Sequence, residues 1–439
     1  MKTTILGSLI ALAIAPLAHA QCIGDIAVDG RVDGGDLGVL LANWGPVTST
    51  ALSHACDLDG NGQVNGADLG LVLSNWGTCP TVLTEVVPNS GVVQGGATVR
   101  ICGQFLTGVQ TVRFGSNAAP SFAVSSDSEL LAVTPPGVPG TVNVVVSGPR
   151  GTATIQNGFT YQSIITPQWA TLVQASPDPS VVTNSAVRQA IAATGLAWRV
   201  RDTATQIEML LIPPGTFLMG CTSSLDWICW SGSVTRQVTL TRAYYVSRSE
   251  VTQSQWQAAM GANPSRFQGA SYPSSALRPV EHVSRDMLLG FLAATDLRLL
   301  TEAEWEYACR AGTSTAFHGW SSQPDGTSND SLVGEVAWYV LNSHVPLSGL
   351  QTHPVSTKAP NGFGLHDMLG NVWEWVADNW SVPSGEPQTD PTGPPKGLNG
   401  VIRGGAWDFG TNVVSSGARD VISIAASRDN LGFRVAKSP

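Results

Sequence analysis

The stretch RLLTEAEWEYACRAG, residues 298–312, carries the clearest helix signals in the chain. Thr301 followed three residues later by Glu304 is a capping box, in which each side chain accepts a hydrogen bond from a backbone N–H at the start of a helix. Gly312 is typical of a helix end, since glycine adopts the left-handed conformation freely. The apolar residues between these signals share one helical face: Trp305, Ala308 and Cys309. The stretch therefore predicts a capped helix whose apolar face packs into a core.

The region around this helix is rich in tryptophan and poor in long periodic segments. Residues 168–439 hold 12 of the 14 Trp residues. SAVRQAIAATG, residues 185–195, predicts a shorter helix, and IEMLLIPPGTFLMG, residues 207–220, predicts a strand, a turn and a strand. We therefore expect an α+β domain over residues 181–439, with a core built on large aromatic rings. Residues 162–180 are predicted to be a linker that precedes it.

Several motifs follow one another between Met209 and Ala436: PGTFLMG, EVTQSQW, LRLLTEAEWEYACRAG, NGFGLHDMLGNVWEW, RGGAW and NLGFRVA. They occur in the order found in the formylglycine-generating enzyme family, also called sulfatase-modifying factors, which this domain resembles. The resemblance implies a fold related to that of the C-type lectins, of mixed α+β class with little regular secondary structure.

The resemblance also implies a metal chemistry. Oxidases of the family bind copper(I) through two cysteines between the motifs that correspond to RGGAW and GFR, and use dioxygen to convert a substrate cysteine to formylglycine. Copper(I) is a soft ion that prefers thiolates, yet this chain has no cysteine between Arg403 and Val435. The two positions fall near Phe409 and Val414. We therefore predict no catalytic residues of this type and no copper, with an active formylglycine-generating oxidase as the alternative.

The segment RGGAWDFGTNVVSSGARD, residues 403–420, is predicted to bind a ligand instead. In this superfamily the equivalent loop lies at the exposed ligand site, and an aromatic platform beside polar groups suits a ligand. The residues that would form it here are Trp407, Asp408, Phe409 and Asn412. For Trp407, packing in the core is the alternative. The arginines expected to hold the loop through buried ion pairs are Arg403, Arg419 and Arg434.

GNVWEW, residues 370–375, is predicted to bind calcium, because a calcium ion lies here in members of the family. The side chains of Asn371 and Glu374 and the carbonyl of Val372 would supply the oxygens that a hard cation prefers. Such an ion stabilises a loop-rich domain because it binds only the folded state. The alternative is that Glu374 lies in a buried ion pair.

Near the N-terminus, DIAVDGRVDGGDLGVLLANWG from Asp25 and DLDGNGQVNGADLGLVLSNWG from Asp57 repeat with a period of 32 residues. Calcium loops supply oxygens at positions 1, 3, 5, 7, 9 and 12. The second copy offers these as Asp57, Asp59, Asn61, the Gln63 carbonyl, Asn65 and Asp68. The first copy retains Asp25, Asp29, Asp33 and Asp36. Ala27 replaces one of its ligands, so we expect the first calcium site to be weaker.

Each loop precedes an apolar helical face, and in the second copy this face is Leu69, Val72, Leu73 and Trp76. Loop and helix, repeated over residues 21–79, resemble the dockerin type I module. The resemblance implies a small α-helical calcium module whose partner is a cohesin-like protein or a cell-surface component. A scaffold or cell-surface structural role through these repeats is therefore a further alternative for the protein's function.

Residues 80–161 read as short β-strands separated by Gly and Pro turns, with Val142, Val144 and Val146 alternating at the period of a strand. This pattern predicts an immunoglobulin-like β-sandwich. The residues that give its resemblance to IPT/TIG domains are Pro88, Gly91, Gly95, Gly96, Phe114, Gly115, Pro135 and Tyr161. We interpret it as a spacer or adhesive module.

Residues 1–20, MKTTILGSLIALAIAPLAHA, have one Lys, an apolar run and a final Ala-His-Ala, the pattern of a signal peptide. No other stretch is long and apolar enough to span a membrane. We therefore predict a secreted protein, in the periplasm, at the cell surface or outside the cell. The formal net charge of −9 gives no basic surface for nucleic acid. The oligomeric state stays open.

Export permits disulfides. Cys221 and Cys229 flank a short loop and are the expected pair. Cys22, Cys56 and Cys79 bracket the acidic repeats and allow three pairings, each of which leaves one cysteine over.

Overall fold

The structure is a computed structural model that describes residues 22–221 and 235–439. The chain divides into two compact units: residues 22–90 and 94–161 form one, and residues 91–93 and 162–439 form the other. The predicted signal peptide, residues 1–20, lies outside the described residues, as does Cys229 of the predicted Cys221–Cys229 pair. Within the described ranges, every helix is too short or too polar to cross a membrane.

The repeat module, residues 21–79, consists of short helices and two-residue strands. Its elements are β1 (Arg31–Val32), α1 (Gly34–Ala42), β2 (Gly45–Pro46), α2 (Ala51–Cys56), β3 (Gln63–Val64), α3 (Gly66–Ser74) and β4 (Gly77–Thr78). β1 pairs with β4 and β2 pairs with β3, both antiparallel, so each strand of one repeat pairs with a strand of the other. Neither repeat therefore closes its sheet alone.

Capping boxes start both repeat helices. Asp33 caps α1 with Asp36 as its reciprocal partner, and Asn65 caps α3 with Asp68. Leu40 and Val72 are fully buried between the helices. The predicted apolar face is only partly buried, however, because the last turn of each helix faces solvent. The exposed residues there, each about half exposed, are Leu41, Trp44, Leu73 and Trp76.

A disulfide joins Cys22 to Cys79, the first and last cysteines of the repeat module. Of the three pairings that the sequence left open, the structure therefore shows this one. Cys56 is left as a free thiol, fully buried in the core of the module. The module thus contains no accessible thiol among its described residues.

The sandwich follows, built almost entirely of antiparallel strands. They are β5 (Val82–Val87), β6 (Ser90–Val92), β7 (Thr98–Gln104), β8 (Thr111–Phe114), β9 (Asn117–Ala118), β10 (Phe122–Ser126), β11 (Glu129–Val133), β12 (Gly140–Gly148) and β13 (Gly151–Gln162). One sheet has the order β10-β11-β7-β5, and the other contains β13, β12, β8 and β9 in this order. Phe114, Phe159 and Tyr161 stack edge to face in the core, and the Tyr161 hydroxyl donates to the Pro135 carbonyl at 2.7 Å. The predicted immunoglobulin-like β-sandwich is confirmed.

The C-terminal domain contains the remaining elements. Its helices are α4 (Ser185–Ala193), α5 (Gln253–Met260), α6 (Arg285–Thr295) and α7 (Glu302–Arg310), with 3-10 helices at Ser275–Leu277 and Asp330–Glu335. Its strands are β14 (Ala170–Gln174), β15 (Arg199–Asp202), β16 (Glu208–Ile212), β17 (Gly215–Met219), β18 (Arg236–Leu240), β19 (Tyr244–Ser247), β20 (Ala337–Trp338), β21 (His344–Val345), β22 (Gly349–Leu350), β23 (Leu369–Gly370), β24 (Trp373–Asn379), β25 (Gln388–Thr389), β26 (Asn399–Arg403), β27 (Arg419–Ser423), β28 (Leu431–Phe433) and β29 (Ala436–Lys437).

Two sheets organise this domain: β14-β15-β16-β19-β29 and β27-β26-β24-β28. The prediction of a linker over residues 162–180 is therefore wrong for residues 170–174, because β14 pairs with β15 inside the first sheet. The predicted strand-turn-strand at residues 207–220 is confirmed as β16 and β17, although the two strands belong to different sheets.

Helix α7 is the helix predicted from residues 298–312. Thr301 and Glu304 form both bonds of the capping box. The last helical residue is Arg310, two before the predicted glycine, since Ala311 already takes the left-handed conformation with φ 46° and Gly312 follows with φ 92°. Trp305 on this helix is fully buried. Trp256 stacks on Phe291 at 5.2 Å, so large rings do form the core as expected.

Replacing both Cys22 and Cys79 by Ser should lower the free energy of unfolding of the first unit by about 4 kcal/mol, because the bond restricts a loop of 57 residues in the unfolded chain. Chemical denaturation with and without a thiol reductant measures this. The reductant should destabilise the first unit of the wild-type protein and leave the first unit of the double variant unchanged. Cys102→Ser, which removes a free thiol of the sandwich, is the control.

Candidate functional site

Strand β26 leads into the Trp407 loop, residues 403–414, through two glycines. Gly404 and Gly405 have φ values of +94° and +75°, which favour glycine. There is also no room for a side chain at Gly405, since a Cβ there would lie 2.7 Å from Val414. The glycine pair therefore lets the loop turn sharply and bring Val414 back against its own start.

The indole of Trp407 is packed inside the domain, with 8% of the residue exposed. Its ring lies edge to face on Phe267 at 5.5 Å, and its Nε1 donates to the Asp429 carbonyl at 3.2 Å. The backbone N–H of Trp407 donates to the Asn371 carbonyl at 3.0 Å. The structure thus favours the packing alternative, and Trp407 does not present an exposed aromatic platform.

The other predicted ligand residues differ in exposure: Asp408 and Phe409 are half-buried, and Asn412 is exposed. Asp408 is half-buried, and its two carboxylate oxygens accept hydrogen bonds from Asn430 Nδ2 at 3.1 and 3.0 Å. Burial raises the pKa of Asp408 above its ordinary value. Asn412 is exposed. A ligand at this loop would therefore meet Asp408 and Asn412 rather than the Trp407 ring.

The two positions expected to carry copper-binding cysteines hold apolar side chains packed against the core. Phe409 lies edge to face on Trp373, with ring centroids 5.6 Å apart. Val414 is fully buried. Neither side chain offers a lone pair to a metal, and the Phe409 ring fills space beside Trp373.

The nearest cysteine in sequence, Cys309 on α7, is fully buried and its Sγ lies 3.6 Å from the Ser416 Oγ. Burial raises the pKa of Cys309 to about 12, so the thiol stays protonated at neutral pH. The free cysteines of the described residues are Cys56 in the repeat module, Cys102 in the sandwich and Cys309 here. Copper(I) needs two thiolates that face one another. Such a pair is not found among the described residues.

The predicted buried ion pairs of the loop are confirmed. Arg403 is fully buried and pairs with Glu306, whose carboxylate also accepts from Arg310 Nε at 2.8 Å. Arg419 pairs with Glu302 at 2.7 Å. Burial by itself would raise the pKa of Glu306, but Arg310 and Arg403 outweigh it and lower the pKa below its ordinary value. Glu302 and Glu306 of α7 thus form ion pairs with the strands that flank the loop.

Glu374, a predicted calcium ligand on β24, is saturated by other donors. Arg434 Nη2 lies 2.7 Å from its Oε1, and Trp305 Nε1 donates to its Oε2 at 2.6 Å. Both Glu374 and Arg434 are buried. These contacts favour the ion-pair alternative for Glu374.

The side chain of Asn371, another predicted ligand of this site, is also engaged. Asn371 has φ 59°, accepts from the His353 N–H at 2.9 Å and donates back to the His353 carbonyl at 3.2 Å. Val372 is fully buried. The amide of Asn371 therefore ties two loops together in the way expected of a cation.

Two carboxylates that the sequence did not indicate, those of Glu250 and Asp367, lie near the Glu374–Arg434 ion pair. Glu250 and Asp367 are 1% and 2% exposed, and each has an oxygen without a hydrogen-bond partner, Oε1 and Oδ1 respectively. Burial raises the pKa of Glu250 well above its ordinary value, and the neighbouring Asp367 and Glu374 raise it further. A cleft of about 340 Å³, lined in part by Glu250, reaches this point from the surface. Each of the two lies within a motif of the sequence, Glu250 in EVTQSQW and Asp367 in NGFGLHDMLGNVWEW.

In the repeat module, the second loop brings its acidic residues together. Ligand atoms of Asp57, Asp59 and Asp68 all lie within 4.8 Å of one another. Asp68 is fully buried and accepts from the N–H groups of Leu58 and Asn65. Of the remaining predicted ligands of this loop, Asn61 and Gln63 are exposed and Asn65 is half-buried.

The first loop has a similar backbone but a different acidic arrangement. Asp25 accepts from the N–H groups of Asp29 and Gly30 at 3.0 and 2.9 Å, and Asp36 accepts from Ile26 at 2.7 Å. Among the residues that the structure describes, no three acidic side chains of the first loop lie as close together as those of the second loop. Its four Asp residues therefore serve first as acceptors for the loop's own N–H groups.

Comparison with known proteins assigns the C-terminal domain and the sandwich to families. Residues 182–439 match the sulfatase-modifying factor enzyme 1-like domain, and residues 80–162 match the IPT/TIG domain. The chain belongs to the sulfatase-modifying factor family. Both resemblances inferred from the motifs are confirmed, while the dockerin-like assignment of the repeats stays a prediction.

Relatives of this sulfatase-modifying factor domain include catalysts and a protein named as inactive. The formylglycine-generating enzyme of Bos taurus is 34% identical over 193 residues, which cover 41% of this chain and 50% of that protein. The inactive C-alpha-formylglycine-generating enzyme 2 of Mus musculus is 32% identical over 182 residues, which cover 38% of this chain and 53% of that protein. The chain thus spans about half the length of these relatives. Among solved structures, Treponema denticola variable protein 1 matches with 29% identity and a TM-score of 0.46, covering 53% of this chain and 95% of its own.

Replacing Arg434 by Met should destabilise the sulfatase-modifying factor domain by about 3–5 kcal/mol, because it leaves the Glu374 carboxylate buried without its cation. Adding Glu374→Gln to that variant should recover part of the loss, since the charge is removed while an acceptor for Trp305 remains. Denaturation followed by tryptophan fluorescence reports mainly on this domain, which holds most of the Trp residues. Arg266→Met breaks an exposed ion pair with Asp429 and should cost less than about 1 kcal/mol. An equal loss from both single variants would contradict the assigned role of the buried pair.

Proposed function

We propose that this chain is an exported, modular protein whose sulfatase-modifying factor domain binds a ligand or partner and does not oxidise cysteine. The observation that carries the proposal is the pair of apolar side chains at the copper positions. Phe409 packs on Trp373 and Val414 is fully buried, so neither thiolate ligand nor the space for it is provided. Copper(I) needs soft donors, which these side chains cannot supply.

The surrounding scaffold is retained, which supports a binding role. The capped helix α7, its ion pairs with the strands and the turn at Gly404 and Gly405 hold the Trp407 loop in place. The groups that a ligand would reach there are the partly buried Asp408 and the exposed Asn412. A binding module needs such a rigid frame as much as an oxidase does, because an ordered loop loses less conformational entropy on binding.

The alternative function, a formylglycine-generating oxidase, is tested directly. The purified exported protein, with copper(I), oxygen and a reductant, should leave a peptide containing Cys-x-Pro-x-Arg unchanged by mass spectrometry. Loss of mass from the cysteine of the peptide, in the form of an aldehyde, would sink the non-oxidase proposal. The double variant Phe409→Cys/Val414→Cys is the matched control, since it restores two thiols at these positions. It should gain copper(I) binding that the wild type lacks.

We also propose that the repeat module binds calcium, chiefly in its second loop. The three carboxylates of Asp57, Asp59 and Asp68 meet there, and hard oxygen donors are the ligands that calcium prefers. The first loop lacks one of these ligands at Ala27, so it is the weaker of the two. The disulfide between Cys22 and Cys79 supports export, since such bonds persist in oxidising compartments.

A further calcium ion in the C-terminal domain fits Glu250 and Asp367 better than the Asn371 and Glu374 side chains that the sequence indicated. Glu250 and Asp367 each have a buried oxygen without a partner, whereas the oxygens of Glu374 are taken by Arg434 and Trp305. A divalent cation would neutralise these carboxylates and add charge-stabilised contacts between the chain segments that carry them. Its role would be structural, since it would bind only the folded domain.

Asp59→Asn should weaken calcium binding to the repeat module by about tenfold or more, because affinity in such loops follows the number of charged ligands. Asp29→Asn, which removes one carboxylate from the first loop, is the matched control and should change the tightest binding step much less. Isothermal titration calorimetry on the calcium-free full chain separates the two. A tightest step that weakens equally in both variants would show that the second loop is not the principal site.

A scaffold role through the repeats is the second candidate function. It is favoured by Leu41 and Trp44 of the first repeat and by Leu73 and Trp76 of the second, which are about half exposed at equivalent positions. Apolar residues exposed in this repeated manner are typical of a surface that a partner covers. A cohesin-like protein or a cell-surface component is the partner class that we propose for it.

A further inference from the structure

The two loops of the repeat module have the same local design but different surroundings. Gly30 and Gly62 occupy the same position in the two copies and have nearly equal φ values, +81° and +83°. Gly62 is exposed, with open space where a Cβ would lie. Gly30 is buried, and a Cβ there would lie 3.1 Å from the Phe105 ring and 3.2 Å from the Arg150 guanidinium. Backbone conformation is therefore shared, and only the first loop is covered.

The cover comes from the sandwich, which belongs to the same compact unit. Arg150 lies in the turn between β12 and β13, and Phe105 follows β7. Arg150 Nη1 donates to the Gly30 carbonyl at 2.5 Å and to the Cys79 carbonyl at 3.3 Å. The Gly30 carbonyl also accepts from the Cys79 N–H at 3.1 Å. One guanidinium thus bridges the first loop and the end of the module.

The position of Arg150 is fixed from several sides. Its guanidinium carbon lies 5.3 Å from the centre of the Phe105 ring, and its own carbonyl accepts from the Thr81 N–H at 3.4 Å. The Thr81 hydroxyl donates to the Phe105 carbonyl at 3.1 Å. Phe105 in turn packs against the core of the repeat module. Arg150 is therefore held in place and loses little side-chain entropy when it bonds the loop.

Among the described residues, no hydrogen bond joins the sandwich to Gly62, the glycine of the second loop. The carbonyl of Gly62 accepts from the Val47 N–H at 3.1 Å, within the module itself. Its clustered carboxylates, those of Asp57, Asp59 and Asp68, repel one another unless a cation lies between them. The first loop therefore has an arginine of the sandwich bonded to its backbone, whereas the glycine carbonyl of the second loop is bonded within the module.

We propose that Arg150 clamps the first loop to the sandwich, so that this loop stays folded without calcium and the second loop alone unfolds when calcium is removed. The first loop is then a structural joint between module and sandwich, and the second is the part that responds to the ion. The second half of this statement rests on the proposed calcium binding of the second loop. The clamp itself does not, because its contacts involve only protein atoms.

Hydrogen–deuterium exchange on the full exported chain tests both halves, with calcium and with a chelator. In the wild type, chelation should speed exchange of residues 57–68 by about tenfold or more and that of residues 25–36 by less than about threefold. In Arg150→Gln with chelator present, exchange of residues 25–36 should rise by about tenfold as well. Arg100→Gln, which removes an exposed arginine of the sandwich paired with Glu129, is the matched control and should leave both loops as in the wild type.

Exchange of β12 and β13 in each variant shows that the sandwich is folded. Gly30→Ala and Gly62→Ala give a second comparison with equal backbone strain, and only Gly30→Ala should speed exchange of residues 25–36. The clamp is overturned if Arg150→Gln leaves residues 25–36 as protected as in the wild type, or if chelation alone opens both loops equally. If chelation changes neither loop, the calcium proposal fails while the Arg150→Gln result still decides the clamp.

Discussion

Two carboxylates carried into the core by one helix determine how the C-terminal domain is assembled. Glu302 and Glu306 of α7 are buried, and a buried carboxylate is costly unless a cation and hydrogen bonds compensate it. Arg310 supplies one cation from the same helix, and Arg403 and Arg419 supply the others from β26 and β27. The helix and the two strands are therefore held together by ion pairs, and separating them would leave a buried charge without its partner. Because β26 leads into the Trp407 loop and β27 follows it, these pairs also fix both ends of the loop.

The frame that these pairs build is independent of what the loop does. In this chain the loop presents Phe409 and Val414 to the interior, where both pack against apolar neighbours. The ion pairs, the glycine turn and the aromatic core are thus present together with apolar side chains at the two expected copper positions. A family relationship shown by the frame therefore says little about activity, which depends on a few side chains at one loop.

The first unit shows the same separation between local design and surroundings. Both repeat loops have a glycine with positive φ and a capped helix after it, as their nearly identical sequences require. The sandwich, however, covers Gly30 of the first loop through Phe105 and Arg150, whereas the equivalent Gly62 is exposed. Two copies of one motif therefore have different surroundings because of residues that are distant in the sequence.

The sequence by itself determined what short-range patterns encode. The capping box of Thr301 and Glu304, the turns at Gly404 and Gly405, the alternating strands of the sandwich and the loop–helix repeats all depend on residues a few positions apart. The ordered motifs likewise identified the family, and the missing cysteines excluded its copper ligands from the expected positions. Each of these signals is local, so no folded chain was needed to read it.

Only the tertiary structure decided which distant residues meet. In the folded chain Cys22 pairs with Cys79, and Trp407 lies inside the domain. The Glu374 carboxylate binds Arg434 and Trp305, and Glu250 lies near Asp367. None of these outcomes has a signal in sequence spacing, because each depends on how separate elements pack. The physical reason is that burial and charge compensation are properties of the whole core, which short-range sequence patterns do not encode.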